Sequence, residues 1–396
     1  MDEDEFRKQF NQKSVFKSSS SLDLSYVPEK LHCRDETIKE LIYNFRRIIE
    51  EEAQPSINCL MLGKGGVGKT VTAKYFGRNF KNIALEKDLE VFLEYFNCIH
   101  FRSKSKIIRE ILGKYTHGSG RGFSDDEALK LILTKLINTK GYMLLIIDEV
   151  HLLNSDEVLA LLDIAETYGH QNTRLSIILI SRTNDWMKIE TERILSRLNE
   201  KINLKPYNYE ESKKILQYRS ELAFKEYVVS ENIIDMVSEI TTQHKNMRHG
   251  IEILRKSGLY ADKEGMSKIN ADMIRESSND VYPTFRGEIV DQLSDQELLA
   301  LYGITRSLIN NDEPFTLVDD AYEDYQAICE SYGIDTHVKM SFRKYVRSLN
   351  DLKVIASKTV RIEDAQRARH LKITLLDIPA RKLEELLMEI FDRKFS

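Results

Sequence analysis

The octapeptide Gly63-Lys64-Gly65-Gly66-Val67-Gly68-Lys69-Thr70 constrains this chain more than any other stretch. It fits G-x-x-x-x-G-K-[ST] at every fixed position. An apolar run at residues 57–62 precedes it, and a helical pattern at residues 71–80, opened by Val71, follows. Strand, glycine loop and helix in that order form a phosphate cradle. Glycines let the backbone curl until successive N–H groups point at one phosphate chain. The helix that starts there adds its positive dipole end. Lys69 would reach the β- and γ-phosphates, and the Thr70 hydroxyl would ligate Mg²⁺. A plain glycine turn is the alternative, and the strand in front and helix behind argue against it.

Such a cradle does not say whether a chain hydrolyses a nucleotide or only holds it. The wholly apolar run at residues 143–147 goes further, because it ends in Asp148-Glu149. A run without polar interruption suits a strand buried on both faces. A carboxylate at the C-terminal end of such a strand faces the crevice where parallel sheets bind ligands. Asp148 would then hold Mg²⁺ beside Thr70, and Glu149 would orient or deprotonate the attacking water. A second apolar run, residues 175–180, ends in Ser181-Arg182-Thr183-Asn184. The Asn184 amide suits a γ-phosphate or water contact, and it suits a turn at least as well. Arg193 and Arg197, on the next helical stretch, have the chemistry of an arginine finger. By spacing alone they read better as a solvated face. Arg248 begins a later helix, where it could report nucleotide state or simply face solvent.

Strands alternate with helices as far as residue 205, which predicts a parallel α/β sheet. Residues 1–25 read as a polar arm of this first region, most flexible at residues 18–21. From Pro206 the pattern changes to helices at residues 209–224, 231–238 and 246–257 with no strand between, an all-helical unit over residues 206–280. A polar segment at residues 272–280 leads to a boundary at Val281-Tyr282-Pro283. The region 281–396 reads as helices at 295–310, 317–332 and 339–352, strands at 354–359 and 370–375, and a closing helix at 379–391. Three helices and a β-hairpin are the order of a winged helix. In its third helix Phe342, Tyr345, Val346, Leu349 and Leu352 recur at helical spacing. Lys339, Ser341, Arg343, Lys344 and Arg347 are left on other faces, and Arg361, Arg367 and Arg369 fall in the turn between the strands.

A chain of 396 residues is too long for one ordinary core, so two or three domains are expected. The net charge of −5 neither suggests nor excludes nucleic acid, because local patches decide that. Here residues 312–324 are acidic while residues 339–372 are rich in Lys and Arg. The four cysteines are scattered, and Cys59 and Cys98 sit in strand patterns, so buried free thiols and a reducing cytoplasmic compartment are expected. No apolar run approaches the ~20 residues of a membrane helix, so no membrane partner is expected.

These features in series resemble the archaeal origin-recognition and cell-division-control initiator proteins of the AAA+ ATPase superfamily. The motifs match in order. Tyr26-Val27-Pro28-Glu29 and Arg34-Asp35-Glu36 precede the Walker A loop, and Phe96-Asn97-Cys98 ends the second strand. Asp148-Glu149-Val150-His151 stands at Walker B, where the family usually has a second acid in place of His151. Thr183-Asn184-Asp185 stands at sensor 1, Lys205-Pro206-Tyr207 leads into the lid, and Asn246-Met247-Arg248 stands at sensor 2. The resemblance implies an AAA+ core with a helical lid and a C-terminal winged helix. It implies ATP or ADP with Mg²⁺ as cofactors, and a weak, slow, regulatory ATPase. It places Arg34 and Tyr207 with the nucleotide, makes Asn184 sensor 1 and Arg248 sensor 2, and favours Arg193 as the finger. The segment 101–123 falls where initiators carry a DNA-gripping insertion, and Arg102, Lys104, Lys106, Arg109 and Arg121 suit phosphates. Composition alone leaves a basic surface helix equally open, and the resemblance tips the reading to DNA.

The expectation is a nucleoid-associated replication initiator that binds duplex origin DNA. Its partners would be paralogous initiator subunits and the replicative helicase. The third helix of the winged helix would enter the major groove and the wing arginines the minor groove. The alternative is a signalling-type P-loop NTPase whose winged helix docks a protein. A clamp-loader-like ATPase fits less well, because of the C-terminal winged helix.

Overall fold

A computed structural model describes residues 13–51, 55–115, 122–168, 173–281, 293–311, 313–352, 354–361, 369–376 and 378–395. The chain divides into two compact units, Ser25–Tyr207 and a second formed by Met1–Leu24 with Asn208–Ser396.

The first unit is built on five parallel strands. In chain order the helices and strands that matter are α1 (Asp35–Phe45), β1 (Asn58–Leu62), α2 (Lys69–Leu85), β2 (Val91–Asn97), α3 (Lys104–Tyr115), α4 (Asp125–Asn138), β3 (Tyr142–Asp148), α5 (Ser155–Leu162), β4 (Leu175–Ser181), α6 (Glu192–Ser196) and β5 (Glu200–Asn203). The sheet order is β2-β3-β4-β1-β5. Every residue of β1, β3 and β4 is buried, which explains why these strands are mostly apolar. Alternate residues feed two cores. Leu60, Leu145, Ile147 and Leu179 pack beneath α3, α4 and α5. Met61, Leu144, Ile146 and Ile178 pack beneath α1 and α2, against Phe45, Phe76 and Phe80. Cys59 and Cys98 are buried free thiols, and burial pushes the Cys98 thiol up to about 12.

The second unit contains α7 (Tyr209–Ala223), α8 (Glu231–His244), α9 (Met247–Lys263), α10 (Ala271–Val281), α11 (Asp295–Asn311), β6 (Thr316–Leu317), α12 (Val318–Ser331), α13 (Lys339–Asp351), β7 (Ile355–Arg361), β8 (Arg369–Leu375) and α14 (Ala380–Phe395). The strands β6, β8 and β7 make a small antiparallel sheet against α11, α12, α13 and α14 around one apolar core. Among the described residues no helix is long and apolar enough to cross a membrane.

Three details differ from the sequence reading. The polar segment at 272–280, to which the sequence pattern assigns no element, is the helix α10. Its buried face is Ile274, Arg275, Ser277 and Ser278, so apolar periodicity does not reveal it. The Arg275 guanidinium donates to Asp272 Oδ1 at 2.8 Å and to the Pro314 carbonyl at 3.3 Å, and Asp272 also accepts the Ala380 N–H at 3.2 Å. The described part of the arm, residues 13–24, belongs with the second unit rather than with the first. Phe16 stacks on Phe224 at 4.9 Å, Ser14 and the Val15 N–H bond Asp262, and Ser19–Leu22 forms a 3-10 turn with Leu22 fully buried. Arg361 and Arg369 are not in a turn but are the paired ends of β7 and β8.

Helix α7 opens with a reciprocal cap: Asn208 accepts the Glu211 N–H at 2.9 Å, and Glu211 accepts the Asn208 N–H at 2.9 Å. Asn208→Ala will lower the unfolding free energy by about 1 kcal/mol. A urea midpoint that does not move from wild type would show the cap to be idle.

Candidate nucleotide site and nucleic-acid surfaces

The glycine loop leaves β1 and enters α2 at the carboxyl edge of the sheet. Gly66 and Gly68 have φ of 74° and 89°, the left-handed region where side chains are strained. A Cβ on Gly68 would also stand 2.7 Å from the Tyr207 hydroxyl. A Cβ on Gly65 would meet nothing within 4 Å, so the crest of the loop is open. The loop runs through Gly63, Lys64, Gly65, Gly66, Val67 and Gly68, and Lys69, Thr70 and Val71 form the first turn of α2. Lys69 is 9% exposed, and its ammonium donates to the carbonyls of Gly63 at 2.9 Å and Lys64 at 2.8 Å.

Asp148 ends β3 directly across from Thr70. The Thr70 hydroxyl donates to Asp148 Oδ2 at 2.6 Å, and the Glu149 N–H donates to Asp148 Oδ1 at 2.8 Å. A hydroxyl and a carboxylate in contact supply the hard oxygen donors that Mg²⁺ takes, so the residues fit that ion. Glu149 holds a left-handed backbone, φ 53°. Its carboxylate lies 3.4 Å from His151 Nε2 and 3.7 Å from Arg182 Nε. His151 Nε2 also faces Asp185 at 3.7 Å, and Nδ1 meets the Ser181 hydroxyl at 3.0 Å.

The other expected residues divide into those left available and those engaged elsewhere. Asn184 is exposed in the short helix after β4, and Arg193 is exposed on α6. Arg197 instead pairs with Asp163. Arg248 is exposed at the start of α9, in the second unit. Arg34 is 8% exposed. It donates to the carbonyls of Val67 at 2.7 Å and Lys205 at 2.9 Å and lies 3.8 Å over the Tyr207 ring, so this pair braces the loop from its protein side.

On the first unit, Arg102, Lys106 and Arg109 are exposed on and before α3. Lys104 is engaged with Asp125 at 3.7 Å, and Lys114 with Glu94 at 2.6 Å. Arg121 lies outside the described residues. On the second unit α13 buries Phe342, Val346 and Leu349 and exposes Arg343, Lys344 and Arg347. Ser341 is half-buried, and Lys339 is tied to Asp319 at 2.5 Å. The side chains of Arg361 and Arg369, and all of Arg367, lie outside the described residues. Two other hairpin cations are occupied: Lys358 lies 3.5 Å over the Tyr209 ring and Lys372 4.1 Å over the Phe315 ring. Burial raises the Glu239 carboxyl above its ordinary value, and Lys372 and Lys358 pull it back.

Sequence reasoning passed over two residues of the site. Tyr95 donates to Asp148 Oδ2 at 3.0 Å, and the Lys74 ammonium sits 3.5 Å over the Tyr95 ring. The signal was the pairing of β2 with β3, which aligns Asn97 with Asp148 and sets Tyr95 two positions back on the same strand.

Three family models match in succession: an AAA domain at residues 57–185, a Cdc6 AAA+ ATPase-type lid domain at 213–279, and a CDC6 C-terminal winged helix domain at 288–385. Curated relatives are similar along most of their length. An ORC1-type DNA replication protein 1 of Archaeoglobus fulgidus is 26% identical over 379 residues, 94% of this chain and 91% of the relative. An ORC1-type DNA replication protein 2 of Sulfurisphaera tokodaii is 28% identical over 361 residues, 87% of this chain and 86% of the relative. Among solved structures, Cdc6p from Pyrobaculum aerophilum shares the fold with a TM-score of 0.84 at 23% identity, over 97% of this chain and 100% of that one. The Aeropyrum pernix ORC1 protein in complex with DNA does so with a TM-score of 0.61 at 19% identity, over 97% and 100%. With an AAA domain, a Cdc6-type lid and a Cdc6-type winged helix following one another on this fold, the chain belongs to the Cdc6/ORC1-type family of AAA+ ATPases.

Proposed function

We propose that this protein is a DNA-replication initiator. It grips duplex origin DNA through α13 and through the basic stretch at α3, and its ATP or ADP state is the switch. One observation carries the reading: a glycine loop with Thr70 in contact with Asp148 shares a chain with a helix that turns three cations outward and its apolar side inward. Lys69 contacts the β- and γ-phosphates, Thr70 and Asp148 hold Mg²⁺, and Glu149 orients the attacking water. Asn184 contacts the γ-phosphate or that water, and Arg248 reports nucleotide state. Arg193 reaches a neighbouring subunit's nucleotide, a role supported by its exposure and by the pairing of Arg197 with Asp163. The Glu149 carboxylate begins engaged by His151 and Arg182, which suits slow, regulatory hydrolysis. Arg343, Lys344 and Arg347 take phosphates or base edges in the major groove, with Arg102, Lys106 and Arg109 on the backbone. The curated relatives bear replication-protein names, and one structural neighbour was solved with DNA. Related initiator subunits and the replicative helicase are the partners this reading implies, at the nucleoid.

The other reading is a signalling-type NTPase whose winged helix docks a protein. Val338 and Met340, 68% and 74% exposed at the start of α13, are the observation in its favour. Binding of the full chain to origin duplex and to random duplex, with ADP or ATP at several salt concentrations, separates the two. Tight, salt-sensitive binding that prefers origin DNA is expected. Nucleotide binding without DNA affinity at any salt would reject the initiator reading.

A further inference from the structure

Asp148 is 4% exposed, and its carboxylate accepts from three donors. Thr70 and Tyr95 both donate to Oδ2, and the Glu149 N–H donates to Oδ1. These donors differ in kind. Thr70 is itself a cation ligand in the reading above, so its hydroxyl must answer to two partners. The Glu149 N–H and the Tyr95 hydroxyl are not cation ligands in that reading, and they donate to Asp148 one on each oxygen, while the Asn97 side chain also bonds the Tyr95 hydroxyl. Together they define the plane of the carboxylate before any cation arrives.

Tyr95 is well placed to do this. It lies on β2, whose register with β3 sets Tyr95 beside Ile146 and Asn97 beside Asp148. Its ring is roofed by the ammonium of Lys74, one turn beyond Thr70 on α2, at 3.5 Å from the ring centroid. That contact holds the ring between the P-loop helix and the sheet.

We propose that Tyr95 is a positioning residue for the cation site: its hydroxyl holds Asp148 Oδ2 in the orientation that Mg²⁺ requires. This rests on the reading of Thr70 and Asp148 as the Mg²⁺ residues. Partners one step removed from a metal orient its ligands, and their loss typically costs about tenfold or more in metal affinity. Tyr95→Phe removes one oxygen and leaves the ring, the Lys74 contact and the strand in place.

The test is the affinity of the full-length protein for ADP and ATP by calorimetry, first in EDTA and then across a Mg²⁺ series. For Tyr95→Phe, affinity in EDTA should match wild type. The Mg²⁺ concentration that gives half of the metal-dependent gain should rise roughly tenfold. A Mg²⁺ midpoint equal to wild type would overturn the proposal. So would equal losses in EDTA and in Mg²⁺, because a purely structural role lowers both alike. Asp148→Asn, run in parallel, should lose most of the Mg²⁺-dependent gain. If Asp148→Asn keeps a wild-type Mg²⁺ response, the cation reading itself falls and takes this proposal with it. If Asp148→Asn responds as expected and Tyr95→Phe does not, only the role of Tyr95 falls.

Discussion

Lys69→Ala will lower the affinity for ADP and ATP by roughly 100-fold or more, from the loss of charge-assisted bonds worth about 1.5–3 kcal/mol each. The ammonium sits inside the loop on the carbonyls of Gly63 and Lys64, 9% exposed and aimed by the first turn of α2. A phosphate chain cradled by the same loop would meet this cation at close range and largely out of water, where charge pairs are strongest. Alanine leaves the glycine backbone and the helix dipole, so weak binding should persist. Calorimetric titration with ADP measures it, with thermal unfolding in the absence of nucleotide as the control for folding. An affinity within threefold of wild type, in a variant that unfolds normally, would remove the loop from the phosphate site.

Replacing Arg343, Lys344 and Arg347 together by alanine will weaken duplex binding by roughly 500-fold at 0.1 M salt. The figure follows from three phosphate contacts, each adding about 0.9 to the slope of log affinity against log salt. The three side chains are exposed on α13, opposite its buried Phe342, Val346 and Leu349, so their removal should leave the core intact. The salt slope should fall by about 2.7 while ADP affinity stays at the wild-type value. Fluorescence anisotropy on a labelled duplex reads both quantities. An unchanged slope would take α13 off the DNA and move the interface to Arg102, Lys106 and Arg109.

The parts of the site that could be read from sequence are those whose chemistry is local. The glycine loop is contiguous, so its fit to the phosphate-loop pattern is complete in eight consecutive residues. Asp148-Glu149 could be read because an apolar run placed them at a strand end, and the order of motifs made the family resemblance specific. The stripe on α13 could be read because helical periodicity separates Phe342, Val346 and Leu349 from the cations between them. Helix α10 could not, because its buried face holds a single apolar side chain, Ile274, beside an arginine and two serines, too few to show a period. The two-residue strand β6 is too short for any period to show.

Among the charged residues the sequence determined which could act, and the tertiary structure decided which are free to. Arg193 and Arg197 are alike in spacing, but Asp163 occupies only the second. Lys104 and Lys114 belong to the same basic stretch as Lys106 and Arg109, yet Asp125 and Glu94 engage the first two and leave the others in solvent. Arg34 and Tyr207 lie 173 positions apart and meet only because the chain returns to the loop after β5. The hydroxyl of Tyr95 reaches Asp148 only through the register of β2 on β3. The physical reason is the same in each case. A backbone cradle is specified by neighbours along the chain, whereas the partner of a long polar side chain is specified by packing between segments distant in sequence.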